Sequence, residues 1–180
     1  NLITGASASI DGNNFIGAGQ CNTIERFAHN SFIGGGLSNK ITSCYNAARD
    51  NSILGGRNNC IISSGSDFAL NSILGGSNNR ICQCLSPESA SSGYGNTITG
   101  GLGNRIITSN GCPTTWKGYN AIVGGFGNVI QDSGSAQFNR NNMIGGGNGN
   151  NLSASLSSAI IGSHLGCMKS MQNSVILGGC

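Results

Sequence analysis

Residue types that carry out chemistry in proteins are few and scattered in this chain. His29 and His164 lie far apart, and nothing in the sequence favours a Ser-His-Asp or Cys-His arrangement around either of them. The acidic residues form no paired-carboxylate motif; they are Asp11, Glu25, Asp50, Asp67, Glu88 and Asp132. The strings "GLGN" and "GFGN" lack the strand-then-helix context of a nucleotide-binding fingerprint. The sequence therefore predicts no catalytic residue, no enzyme activity and no cofactor.

Thiols are the most numerous reactive groups, but their spacing is uninformative. The eight cysteines are Cys21, Cys44, Cys60, Cys82, Cys84, Cys112, Cys167 and Cys180. No paired C-x-x-C frame is present, so we expect no metal site. Cys60 and Cys82 are offset by two positions between neighbouring repeats, which is too far for a disulfide on adjacent strands. Cys84 and Cys112 follow consecutive repeats and could be joined.

The composition excludes several classes of protein. Charged residues make up 8% of the 180 residues, against roughly 25% in ordinary globular domains. The formal net charge of +3 is spread thinly, and no Lys/Arg run predicts nucleic-acid binding. No apolar stretch is long enough for a membrane-spanning helix. The 31 glycines follow no three-residue period, so a collagen helix is excluded as well.

A nine-residue core, I-x-G-G-x-x-N-x-I, repeats through the chain. Its first aliphatic residue falls at Leu2, Ile16, Ile33, Ile53, Ile73, Ile98, Ile122, Ile144, Ile160 and Ile176. Its second falls at Ile10, Ile24, Ile41, Ile61, Ile81, Ile106, Ile130, Leu152 and Met168. The core length is constant while the connections vary, as in a solenoid whose insertions leave as loops. The sequence predicts an all-β fold, a parallel β-solenoid of about ten short coils forming a single domain over residues 1–180, which we expect to be a piece of a longer chain.

Each residue type in the core has a structural purpose. On a strand, the Asn, Ile and Gly of N-x-I-x-G alternate with outward residues, so the Ile side chains stack inside from coil to coil. Glycine allows a sharp turn or a positive φ at the corner. Identically stacked asparagines can form an amide ladder along the rod.

The repeat "NSILGG" followed by x-N-x-I resembles the N-S-x-A-I-G-x-x-S-x-A repeat of YadA-like heads in trimeric autotransporter adhesins. It is also similar to Gly/Asn repeats in phage and large-virus fibres, and to the N-x-V-x-G repeats of grass ice-recrystallisation inhibitors. The adhesin heads are parallel β-rolls that assemble as trimers and bind host surface molecules. The resemblance therefore implies a side-by-side homotrimer, located outside the cell, on the cell surface or on a virion.

The longest connections, 83–95, 108–119 and 131–141, follow consecutive coils and should project from one side. The string "TTWKGY" supplies Trp116, Lys117 and Tyr119 as a candidate recognition loop, because Trp and Tyr are frequent at binding hot spots. The alternative is that these rings only cover exposed aliphatic side chains.

Two faces of the roll differ in composition. The outward residues flanking the first Ile are uncharged, and they include the candidate oligomer face: Phe15, Phe32, Leu54, Leu74, Val123, Met143, Ile161 and Leu177. The positions flanking the second Ile include Lys40, Arg80, Arg105 and Lys169. We therefore expect a non-enzymatic structural fibre or adhesin head, whose loops attach to a cell-surface receptor or glycan. The alternatives are an ice-binding β-roll and a subunit of a self-assembling extracellular filament.

Overall fold

The protein folds as a parallel β-solenoid, as predicted, in which two nine-stranded sheets face each other across one core. The structure is a computed structural model, and it describes residues 1–4, 12–26, 28–43, 48–64, 70–84, 93–109, 117–131 and 140–179. Every strand pairing among these residues is parallel, and none of them is helical. Ile10 and Trp116 lie outside the described residues.

Sheet 1 contains the first Ile of each coil. Its strands are β2 (Phe15–Ile16), β5 (Phe32–Ile33), β8 (Ser52–Ile53), β10 (Ser72–Ile73), β13 (Thr97–Ile98), β16 (Ala121–Ile122), β18 (Met143–Ile144), β21 (Ala159–Ile161) and β24 (Val175–Leu177).

Sheet 2 contains the second aliphatic residue of each coil. Its strands are β1 (Leu2–Thr4), β3 (Thr23–Glu25), β6 (Lys40–Ser43), β9 (Cys60–Ser64), β11 (Arg80–Cys84), β14 (Arg105–Ser109), β17 (Val129–Gln131), β20 (Asn151–Ser153) and β23 (Cys167–Lys169).

Three two-stranded parallel pairs complete the described coils. They are β4 (Ala28–His29) with β7 (Ala48–Arg49), β12 (Gly93–Tyr94) with β15 (Lys117–Gly118), and β19 (Gly147–Asn148) with β22 (Ser163–His164). The first two pairs lie on the return path of the chain from sheet 2 to sheet 1.

The core is a double column of aliphatic side chains. In sheet 1, Ile53 lies opposite Ile73, which lies opposite Ile98. In sheet 2, Ile61, Ile81 and Ile106 are stacked in the same way. All of these side chains are fully buried. Because each Ile is covered by the coils above and below it, no coil can bury its apolar side alone.

The asparagines of N-x-I-x-G form an amide ladder beside this core, as predicted: the backbone N–H groups of Asn96, Asn120 and Asn142 each donate to the Oδ1 one coil before, at 3.1–3.3 Å. A second ladder runs along sheet 2. It consists of Asn1, Asn22, Asn39, Asn59, Asn79, Asn104, Asn128 and Asn150. The backbone N–H of each residue after the first donates to the Oδ1 of the residue one coil before, for example Asn79 to Asn59 at 3.0 Å. The side chain of Asn79 donates to two corner carbonyls, those of Gly75 in its own coil and Gly101 in the next, both at 3.0 Å.

Leu2 was wrongly predicted to begin a core. Leu2 pairs with Thr23, so that Ile3, and not Leu2, lies opposite the buried Ile24. Asn1 accepts hydrogen bonds from Asn22, which makes it a ladder residue. The N-terminal residues are thus the second half of a coil. Each sheet accordingly has nine strands among the described residues, and the predicted count of ten coils is not confirmed.

The second glycine of each pair makes the corner possible. Gly76 has a φ of +80°, and a Cβ built on it would lie 2.2 Å from the carbonyl oxygen of Gly101 in the next coil. The preceding Gly75 has no positive φ in the left-handed range, and a Cβ there would meet nothing within 4 Å. The two neighbouring glycines therefore have different requirements.

Replacing Ile73 with Asn should destabilise the fold by roughly 3–5 kcal/mol, because a large buried side chain is lost and an amide enters the apolar column. Leu70→Asn is the matched control, since Leu70 is 51% exposed and lies outside both sheets, and it should cost less than about 1 kcal/mol. Urea denaturation of both variants measures the difference. Equal losses would contradict the inward assignment of Ile73.

Gly76→Ala should lower the free energy of unfolding by roughly 2–4 kcal/mol, because it combines a strained φ with a clash against the next coil. Gly75→Ala should change it by less than about 1 kcal/mol. Thermal denaturation of the two alanine variants provides the comparison. If Gly75→Ala is as unstable as Gly76→Ala, the positive φ and the close contact at Gly76 are not the cause of the loss of stability.

Candidate interaction faces

The outward side of sheet 1, which we call the apolar face, carries no charged side chain. Strand register stacks one row of residues along the rod: Phe15, Phe32, Ser52, Ser72, Thr97, Ala121, Met143, Ala159 and Val175. The second row follows the inner Ile, and its larger members are Leu54, Leu74, Val123, Ile161 and Leu177. The two rows are continuous because every strand of sheet 1 is paired in register.

All eight residues of the predicted oligomer face are exposed in the single chain. Their exposed fractions run from 36% for Met143 to 74% for Leu177. Phe15 and Phe32 stack on each other with ring centroids 5.5 Å apart and planes at 8°. Exposed apolar side chains thus recur along the whole sheet, and apolar patches larger than roughly a few hundred Å² usually mark an interaction site. Purely parallel sheets are also normally covered on both sides.

A third outward row, of mixed polar and apolar residues, lies beyond the glycine corner, and the repeat pattern did not predict it. The row is formed by single bridges between coils: Gln20, Leu37, Arg57, Ser77, Leu102, Phe126 and Asn148. Leu37, Leu102 and Phe126 are exposed. Their position directly after the glycine pair of each core was the signal that could have revealed them.

The outward side of sheet 2 is different. Register aligns Lys40, Cys60, Arg80 and Arg105 on four consecutive strands, and we call this set the basic row. Lys40 forms an ion pair with Glu25, with 2.5 Å between Nζ and Oε1. Arg80 and Arg105 are exposed and lie directly opposite each other.

The outward side of sheet 2 therefore carries cations, as predicted, but it also carries apolar side chains. The half-buried Ile62, Cys82 and Ile107 are aligned next to the basic row. Lys169, which was also predicted on this face, is exposed at the end of β23.

Cys60 lies between Lys40 and Arg80 but is not an activated thiol. Burial raises the pKa of the Cys60 thiol, and the nearby cations of Arg80 and Lys40 only partly oppose this effect. A thiolate nucleophile needs the opposite shift. No disulfide joins Cys60 to Cys82, as their offset predicted. The proposed pair Cys84 and Cys112 cannot be placed, because the Cys84 side chain and all of Cys112 lie outside the described residues.

The two histidines are not brought together. His29 is half-buried in β4, whereas His164 is exposed in β22, many coils away. No group of three metal-ligating side chains occurs in the described part of the chain.

The candidate recognition loop is placed only in part. The backbone of Lys117 pairs with Gly93 in β12, but its side chain lies outside the described residues, as does all of Trp116. Tyr119 is 55% exposed and has a φ of +55°. Its backbone therefore turns in the left-handed region immediately before the buried Asn120.

Comparison of the chain with protein-family models, with curated proteins and with solved structures gives no match. The class of the protein is therefore defined by its fold, a parallel β-solenoid with one apolar and one basic outward face. Over the described residues, no helix of the length and apolarity needed to cross a bilayer is found.

Replacing residues 110–116 with a Gly/Ser stretch of equal length separates the two hypotheses for this loop. The replacement leaves β14, β15 and Tyr119 intact. If the loop is a recognition element, the melting temperature should change by less than about 2 °C while binding to a glycan array or a panel of cultured cells falls at least tenfold. A large fall in melting temperature with unchanged binding would show that the loop only covers aliphatic side chains.

Proposed function

We propose that this chain is a non-enzymatic structural module of a fibre or adhesin head, in which copies pack side by side through the apolar face. The observation that carries this proposal is the exposed, uncharged and in-register strip along sheet 1. A face of this kind is a natural interface between copies, because the same rows run along the whole stack of every copy. The basic face and the loops then remain available to a second partner.

Three copies around one axis is the arrangement we propose, following the resemblance to trimeric adhesin heads. In a cyclic trimer each copy meets its neighbours through two different patches. The apolar face and the row of Leu37, Leu102 and Phe126 provide two such patches on adjacent sides of one coil. A trimer of this kind would act outside the cell, on a cell surface or on a virion, and display its loops toward a receptor or a glycan.

Ice binding is a second candidate, because it also uses a flat, uncharged face. Ser72 and Thr97 lie side by side there, with 3.1 Å between their hydroxyl oxygens. However, the neighbouring positions differ widely in size, from Gly145 to Phe32, which suits interdigitation with another protein better than a regular lattice match. Inhibition of ice recrystallisation by micromolar protein would favour this second function.

The double substitution Leu54→Lys with Leu74→Lys should break the assembly. It puts two charges into the centre of the apolar face, and buried unpaired charges are strongly unfavourable. We expect the parent protein to be a trimer by light scattering and sedimentation, and the variant to be a monomer with an unchanged circular dichroism spectrum.

The matched control is Val129→Lys with Asn151→Lys, which adds two charges to sheet 2 and should leave the trimer intact. A monomeric parent, or a variant that keeps the parent's mass, would contradict the proposed interface. A mass that grows steadily with concentration would indicate a filament in place of a closed trimer.

A further inference from the structure

Arg80 and Arg105 form an unusual pair on the outside of sheet 2. They are directly opposite each other on adjacent strands, and neighbouring strands are about 4.8 Å apart. Like charges in this arrangement destabilise a sheet. Neither guanidinium has a hydrogen-bond or ion-pair partner among the described residues, where Lys40 and Glu25 form the one ion pair. The fold itself gains nothing from placing the two cations together.

Neighbouring strands of sheet 2 show that the stack does not require charged residues at the positions of Arg80 and Arg105. Val129 and Asn151 occupy the same row on the next two strands. The pair is therefore best explained by an external anion, since a planar guanidinium binds carboxylate or sulfate oxygens through two parallel hydrogen bonds.

We propose that the basic row, centred on Arg80 and Arg105, binds a linear acidic polysaccharide that lies along the rod. The row runs perpendicular to the strands, and thus parallel to the axis on which the coils are stacked. An extended chain in this direction would meet Arg80 and Arg105 in succession and pass close to Cys60 and Lys40. The inference deepens the proposed surface-binding role and rests on it, because it names the class of ligand that the free face takes.

The composition of this face favours a glycan over a nucleic acid. Single-stranded nucleic acids bind to basic grooves that also offer aromatic rings for stacking of the bases. None of the outward positions described on sheet 2 carries an aromatic side chain. The half-buried Ile62, Cys82 and Ile107 flank the row, and none of these side chains can stack on a base.

The test compares two double variants with the same change in net charge. Arg80→Gln with Arg105→Gln removes the pair. Arg26→Gln with Lys169→Gln removes two exposed cations that lie off the basic row and off the apolar face. Binding to immobilised chondroitin sulfate is measured at several salt concentrations, with neutral dextran and oligo(dT) as comparison ligands.

We expect the parent to bind chondroitin sulfate and not neutral dextran. The basic-row variant should bind at least tenfold more weakly, with a salt dependence reduced by about two charges, while the off-row variant should change by less than about threefold. The melting temperature of the basic-row variant should be equal to or above that of the parent, because this variant removes the repulsion between the two cations.

Three results would overturn the proposal. The first is an equal loss of chondroitin sulfate affinity in both variants, which would mean that net charge alone determines binding. The others are parent binding to oligo(dT) that is as tight as or tighter than binding to chondroitin sulfate, and no binding of chondroitin sulfate by the parent. Each is independent of the mass measurement that tests the trimer, since the basic row lies on the other sheet. A trimer that fails to bind chondroitin sulfate refutes this inference and leaves the assembly in place.

Discussion

The buried asparagine side chain is the constraint on which the rest of the structure depends. A buried amide without partners costs several kcal/mol, so each one must be satisfied. Asn79 meets this requirement only because Asn104 follows it one coil later and donates to its Oδ1 at 3.0 Å. Its own Nδ2 needs the corner carbonyls of Gly75 and Gly101 within reach. The ladder therefore fixes the spacing between coils and the position of the glycines together.

The same hydrogen bonds also fix the register. A slip of one residue would turn Ile81 outward and bring Arg80 into the core, because successive side chains of a strand point to opposite faces. It would also separate each amide from its carbonyl partners. Apolar packing and the ladder thus favour the same alignment, and agreement of this kind distinguishes one folded state from its competitors.

The inside of the roll was predictable because its residue types are nearly constant. The Ile columns, the ladder and the glycine corners all follow from the repeated nine-residue core. The assignment of Leu2 failed for a physical reason: N-x-I occurs twice in each coil, once before the glycine pair and once after it. The pairing of Ile3 with Ile24 and the hydrogen bonds that Asn22 donates to Asn1 distinguish the two halves. The strands on the return path were not predicted, since the connections share no pattern.

A further part of the interior is polar without being regular. Ser43, Ser63, Gln83 and Thr108 are buried at the third inward position of sheet 2. Gln83 accepts a hydrogen bond from Asn71 at 2.8 Å, but the Nδ2 of Asn51 has no partner next to the shorter Ser63. Three residue types at four equivalent positions leave no repeating signal, so sequence periodicity could not identify this column.

The outward faces obey a different rule, and this difference is why function can be sought there. Ser52, Ser72 and Thr97 occupy the same row as Phe15 and Phe32, so the stack accepts hydroxyls and rings alike. Exposed leucines reduce solubility, and paired arginines repel each other, yet neither adds to the core. Residues that lower solubility or stability without adding to the core are best explained by binding to another molecule. Because one sheet presents apolar side chains and the other presents cations, the partners proposed for the two faces differ in chemistry, and the two faces do not compete for the same surface.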